Sequence, residues 1–167
     1  MKVILEKIPE LSGMGASIYS FREIDSEISR FESFLEHNST FEDEIKSIVS
    51  RLTTIGRKAG AQEQFFKLHE GNPGDGVCAL FDLPDKHLRL YCIRFGNLIL
   101  IVGGGGEKPK NIRALQESQT LERENDLLRT LSAMIAKMIR EKDICFNPSY
   151  TDFSKDSILT ITLDEDE

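Results

Sequence analysis

Five cations fall within 25 positions of one another: Arg89, Arg94, Lys108, Lys110 and Arg113. Lysine and arginine make charge-assisted hydrogen bonds to phosphate oxygens. When RNA is cut by its own 2′-hydroxyl, such groups stabilise the charge that builds on the scissile phosphate. The text that carries all but Arg113, residues 88–110, reads LRLYCIRFGNLILIVGGGGEKPK. It divides into a strand, a turn at Gly96-Asn97, a wholly apolar strand, four glycines and a basic segment. Glycines 103–106, with Gly104 and Gly105 at their centre, permit left-handed backbone and close approach of amides to an anion. The plainer reading is a flexible strand-to-helix connection. The spacing is not GxxxxGK[ST], and no G-x-G-x-x-G opens a helix directly, which disfavours nucleotide sites of those types.

Period-two alternation places Arg89 on one face of its strand with Tyr91, and Arg94 on the other with Leu90 and Cys92. An arginine in so apolar a strand either emerges at the sheet rim or has an ion partner. His37, His69 and His87 are the only histidines, and no pair has metal-ligand spacing. His69 and His87 sit at strand ends in the basic third, placed for proton transfer. No serine occupies G-x-S-x-G. Cys78, Cys92 and Cys145 are an odd number without CxxC spacing, suggesting neither a disulfide framework nor zinc. Cys78 and Cys92 read as small core residues, and a reducing cytoplasm as the compartment.

These residues need a scaffold. Residues 2–8 read as an opening strand ended by Pro9, and 11–19 as a glycine-containing loop. Ile24, Ile28, Phe31 and Leu35 define one helix face. Thr40 caps a second helix with acids in its first turn, an apolar stripe from Phe41 to Ile55, and Gly56 as C-cap. Strands follow at 64–69, 77–82, 88–95 and 98–102, with short connections that imply an antiparallel meander. The last has no polar member and reads as a central strand covered on both faces. A long helix spans 120–142, its stripe of Leu121, Leu128, Leu131, Ile135 and Met138 packing on the sheet. Residues 158–163 alternate as an edge strand. The reading is α+β: an N-terminal strand and helical hairpin packed on an antiparallel meander, plus a long C-terminal helix. One domain covers 1–145, and 146–167 forms an acidic, partly disordered tail.

The 167 residues suit a single domain, and 40 % apolar with 29 % charged residues is ordinary for a globular chain. No segment reads as a membrane span or secretory leader. The net charge of −7 is uneven: −5 over residues 1–50, +4 over 51–113 and −6 over 114–167. A polyanion would have to meet the middle third.

The order strand, helical hairpin, meander and basic loop resembles the RelE/ParE/HigB superfamily of toxins, most closely its phage-derived HigB-like branch. The matching text is Leu88-Arg89-Leu90-Tyr91, Phe95-Gly96-Asn97, the apolar strand 98–102, glycines 103–106 and Lys108-Pro109-Lys110. Ile55-Gly56, Phe66-Lys67-Leu68 and Gly76-Val77 add to it, and the similarity covers about residues 2–114. The resemblance implies a toxin of a type II toxin-antitoxin system, an mRNA endonuclease that uses no metal or other cofactor, acting free or on the ribosome. It implies an antitoxin partner, of helix-turn-helix type, and carries functional roles to Arg89, Lys108 and Lys110. With the local reading, the catalytic set is Arg89, Lys108, Tyr91 and His87, and the RNA- and phosphate-binding set is Lys110, Arg113, Arg94, Gly104 and Gly105. The competing expectation is a non-catalytic RelE-fold module that binds an antitoxin-like protein. Under the resemblance, the C-terminal helix would mask the groove, replace an antitoxin contact or support a homodimer.

Overall fold

Alternating apolar residues assemble seven strands into one sheet, and the order of those strands places the functional residues. In the computed structural model, which describes residues 1–109 and 115–163, the strands are β1 (Lys2–Lys7), β2 (Ser17–Glu23), β3 (Phe66–Lys67), β4 (Val77–Leu80), β5 (Leu88–Phe95), β6 (Ile99–Glu107) and β7 (Thr160–Thr162). The order across the sheet is β3-β4-β5-β6-β2-β1-β7. All pairs are antiparallel except β2 and β6, which run parallel. The expected four-strand meander is β3 to β6 in sequence order. The architecture is α+β, a mostly antiparallel open sheet with three helices, one of them C-terminal.

Helices α1 (Arg30–His37) and α2 (Glu42–Thr54) cover one face. They press Phe31, Phe34, Ile48 and Leu52 onto Ile18, Leu90, Cys92, Leu100 and Val102. Helix α3 (Leu115–Arg140) covers the other face, where Leu121, Leu128, Leu131 and Ile135 meet Tyr91, Ile93, Ile99 and Ile101. Alternate residues of β6 therefore feed two separate cores, which is why residues 98–102 carry no polar side chain. Cys78 and Cys92 are core residues, 1 % and 0 % exposed.

Several local expectations are corrected. The loop expected at 11–19 gives way to β2 from Ser17 onward. Its serines sit buried because remote backbone accepts from them: Ser17 Oγ donates to Thr151 O at 2.9 Å and Ser20 Oγ to Val102 O at 2.7 Å. Ile24 is not on a helix face. The helix starts six residues later, where Ser29 accepts from the Glu32 amide at 3.1 Å. Phe41, not Thr40, occupies the N-cap position of α2, and its side chain makes no capping bond. The helix does not end at Gly56 either: a π-helical turn, Ile55–Ala59, follows it and closes on Gly60 with φ 79°. From 146 onward, where the sequence suggests a tail, Phe153, Ile161 and Leu163 are buried against the sheet, while β7, paired with β1 at the sheet's edge, lies within the edge strand expected at 158–163. The acidic end, 164–167, lies outside the described residues.

The largest correction concerns the glycines. Residues 103–106 are neither a loop nor a phosphate cradle; they continue β6. Glycine is usually poor in a strand, but here the pairing irregularity requires it. Leu90 pairs with Gly105 and Cys92 with Val102, so β6 spends three residues where β5 spends two. At this bulge a Cβ on Gly105 would lie 1.8 Å from the Arg89 carbonyl oxygen.

Candidate functional site

Four neighbouring strands each deliver one charged group to the same end of the sheet. Lys67 comes from β3, Arg89 from β5 and Lys108 from the residue after β6, and Asp82 follows β4 by two residues. Asp82 is 6 % exposed. Lys108 Nζ is 2.6 Å from Asp82 Oδ2, Lys67 Nζ 3.0 Å from Oδ1, and Arg89 Nη2 3.5 Å from Oδ2. A second carboxylate, Glu70, stands 3.9 Å from Arg89 Nη1. Lys108 also donates to Leu83 O at 2.9 Å. Tyr91 lies beside Arg89 on the α3 side of the sheet.

Burial alone would raise the Asp82 carboxyl. The close ammonium groups of Lys108 and Lys67, with the charge of Arg89, overcome this and hold it below the usual carboxylate range. The Tyr91 phenol is pushed up, chiefly by burial and further by Glu70 and Asp82, against the opposing charge of Arg89. It therefore stays protonated and can donate. Arg89 Nε is buried without a hydrogen-bond partner among the described residues. The cluster thus holds three cations, two carboxylates, one neutral phenol and one unused guanidinium donor.

Arg89, Lys108 and Tyr91 are brought together as the sequence suggests. The remaining expected residues are elsewhere. His87 turns to the opposite face: its Nδ1 is 2.6 Å from Glu44 Oε2, and its ring stacks on Phe41 with centroids 4.7 Å apart. Glu44 also accepts from the amides of His87 and Leu88 at 2.9 and 3.1 Å. Burial raises the Glu44 carboxyl, and these bonds outweigh it and bring it below its ordinary value. Arg94 is committed as well. Its Nε donates to Ala61 O at 2.9 Å, its Nη2 to Asn97 Oδ1 at 2.8 Å, and its guanidinium lies 5.7 Å from the Phe66 ring centre. Gly104 and Gly105 are strand residues. Lys110 and Arg113 lie outside the described residues.

No protein-family model, no curated protein and no solved structure matches this chain.

Asp82 is the residue that sequence reasoning missed. The one local sign is an acid placed directly after an apolar strand and before Pro84-Asp85. Its flanking residues point outward, Phe81 at 45 % and Leu83 at 52 % exposure, so the segment alternates out, in, out. Lys67 Nζ stands 5.7 Å from the Phe81 ring centre. The arrangement can attract an anion, stabilise charge on it and offer one phenolic proton. Among the described residues, no group of three or more His, Cys, Asp or Glu side chains is arranged to hold a metal ion.

Proposed function

We propose that the chain is a RelE-like toxin of a type II toxin-antitoxin pair, cleaving mRNA with its own cations and held in check by an antitoxin. The observation that carries this reading is the meeting of Arg89 and Tyr91 of β5 with Lys108, the residue after β6, around one point. A phosphate arriving there competes with Asp82 for Lys108 and takes the unused Arg89 Nε. Both cations then face the oxygens on which charge accumulates. Protonated Tyr91 supplies the proton for the departing 5′-oxygen. Glu70, the more exposed of the two carboxylates at 28 % against 6 %, accepts the proton of the attacking 2′-hydroxyl. Asp82, held low and tied to two lysines, positions Arg89 and Lys108 and takes no proton.

One observation favours a second reading. Asp82 already occupies the cations, and Phe81 and Leu83 form an exposed apolar pair beside it. This suits a module that binds a protein partner, with the ion cluster as an internal tie. Induced expression of the wild type, Arg89→Ala and Lys108→Ala decides between the two, read by growth and by cleavage of purified mRNA in EDTA. The nuclease reading expects arrest and cleavage from the wild type alone. Equal harmlessness of all three, with intact RNA, leaves the interaction module.

A further inference from the structure

The one parallel pair in the sheet opens a crevice on the other edge of β6. β2 and β6 pair only over Ser17–Tyr19 and Ile99–Ile101. Beyond that, Ser20 Oγ bridges the gap, donating to Val102 O and accepting from the amide of Phe31 at 3.2 Å. β2 then leads to α1 on one face, and β6 leads to α3 on the opposite face. Two adjacent parallel strands whose following helices leave to opposite faces form a topological switch point, and ligands of open sheets bind outside the carboxyl ends of such strands.

A cavity of about 440 Å³ lies there, within the size range of small-molecule sites, about 300–1,000 Å³. Its floor is the backbone of glycines 104–106, which offers no Cβ and leaves a flat surface. Its walls carry Arg30 and Ser33 of α1 and Glu124 of α3. Arg30 Nε and Glu124 Oε2 are 3.4 Å apart, yet both are buried and neither has a hydrogen-bond partner among the described residues. The glycine floor makes room for the acid: a Cβ on Gly104 would lie 2.8 Å from Glu124 Oε2. Burial raises the Glu124 carboxyl, against the charges of Arg30, Arg123 and His37. A guanidinium and a carboxylate, held to each other only as a loose ion pair and with hydrogen-bonding capacity unspent, therefore stand side by side at the wall of one crevice.

A ligand that satisfies both must present N–H donors to a carboxylate and an adjacent acceptor to a guanidinium, on a flat body. We infer that this crevice binds a guanine base, whose N1–H and N2–H pair with Glu124 and whose O6 accepts from Arg30. Guanine alone among the common bases sets two adjacent donors beside a carbonyl. Ser33 lies at the wall, where the sugar emerges. The inference does not rest on RNA cleavage: a guanine can arrive on a free nucleoside or in single-stranded RNA. Should both hold, the two sites are neighbours, because Gly106 of the floor is the cross-strand partner of Arg89.

The test is a binding titration, by NMR or calorimetry, of the whole protein with guanosine, inosine and adenosine. It is repeated with the RNA pentamers UUGUU and UUAUU, and with the variants Glu124→Gln and Gly104→Ala. Guanosine is expected to bind about tenfold or more tightly than inosine, which lacks the 2-amino group, or adenosine. Glu124→Gln, which keeps the shape, and Gly104→Ala, which displaces the carboxylate, should bring guanosine down to the inosine level. Discrimination by the pentamers without measurable nucleoside binding, abolished by the same variants, assigns the base to RNA and also supports the site. Equal binding of all nucleosides and both pentamers, no binding of any, or a guanine preference that survives both variants overturns it. The wild-type comparison stands even if a variant fails to fold.

Discussion

Removing Asp82 should turn an attractive cluster into a repulsive one. In Asp82→Ala, Lys67, Arg89 and Lys108 would face one another with side chains only 30 %, 24 % and 14 % exposed. Deleting one partner of a buried ion pair costs about 3–5 kcal/mol. Because these cations keep part of their hydration, the lower end applies, about 3 kcal/mol. For a chain of this length each kcal/mol moves the melting temperature by about 2–4 °C, so the variant should melt about 6–12 °C below wild type. Thermal denaturation followed by circular dichroism measures this. Salt at 1 M shortens the screening length to about 3 Å and should narrow the gap. The pH dependence has a definite sign. The Asp82 carboxyl is lower in the folded chain than its ordinary value of 3.8. Its contribution is therefore fully present above that value and is lost as pH falls through the lower, folded one. Asp82→Asn, which cannot titrate, should lose less stability over that window than wild type. If nuclease activity is present, Asp82→Ala should bind RNA more tightly and turn over more slowly, because the cations are freed but no longer held in place. A stability loss under about 0.5 kcal/mol, unchanged by salt, would refute the reasoning, since the cations would then be solvated independently of the carboxylate.

Three further outcomes are expected. Gly105→Ala should cost about 3 kcal/mol or more, because its Cβ would meet the Arg89 carbonyl oxygen at 1.8 Å; a denaturant titration showing wild-type stability would contradict the tight pairing of β5 and β6. Glu44→Gln weakens the bonds from His87 and Leu88 and should cost about 1 kcal/mol near neutrality, with the difference shrinking as pH falls below the ordinary glutamate value of 4.5; a gap that widens with acid would contradict it. A thiol reagent at pH 8 should label Cys145, which is exposed, while Cys78, pushed up to about 12 chiefly by burial, and fully buried Cys92 react only after unfolding; labelling of more than one thiol in the native state would show that the strand core opens.

Residues that act through their own strand were readable, and residues that act through a distant partner were not. β5 was legible to its ends, and Tyr91 shares the Arg89 side while Arg94 lies on the other, because period two is a local property. The α3 stripe packs on the sheet for the same kind of reason, with Leu121, Leu128, Leu131 and Ile135 all buried. β2 escaped notice because Ser17 and Ser20 look like loop residues until Thr151 and Val102 accept their hydroxyls from 134 and 82 positions away. His87 shares the parity of Arg89 and Tyr91, but it precedes the strand, and Glu44 and Phe41 of another element draw it to the opposite face. Asp82 could not be found by spacing, since its partners are 15 positions upstream and 7 and 26 downstream. Only the order β3-β4-β5-β6 aligns them.

The glycine run illustrates the same limit from the other side. Its composition was legible and its role was not, because four glycines state only that side chains are absent. Three neighbours supply the meaning. β5 needs the absence at Gly105 to close the bulge, and Glu124 needs it at Gly104 to lie over the strand. β2, by ending its pairing at Ile101, leaves the far edge of the glycines without a strand partner among the described residues. The same stretch of β6 therefore borders a filled ion cluster on its β5 side and an open crevice on its β2 side. A side chain at these positions would clash with the first neighbour or displace the second, so glycine is required here for close approach rather than for flexibility.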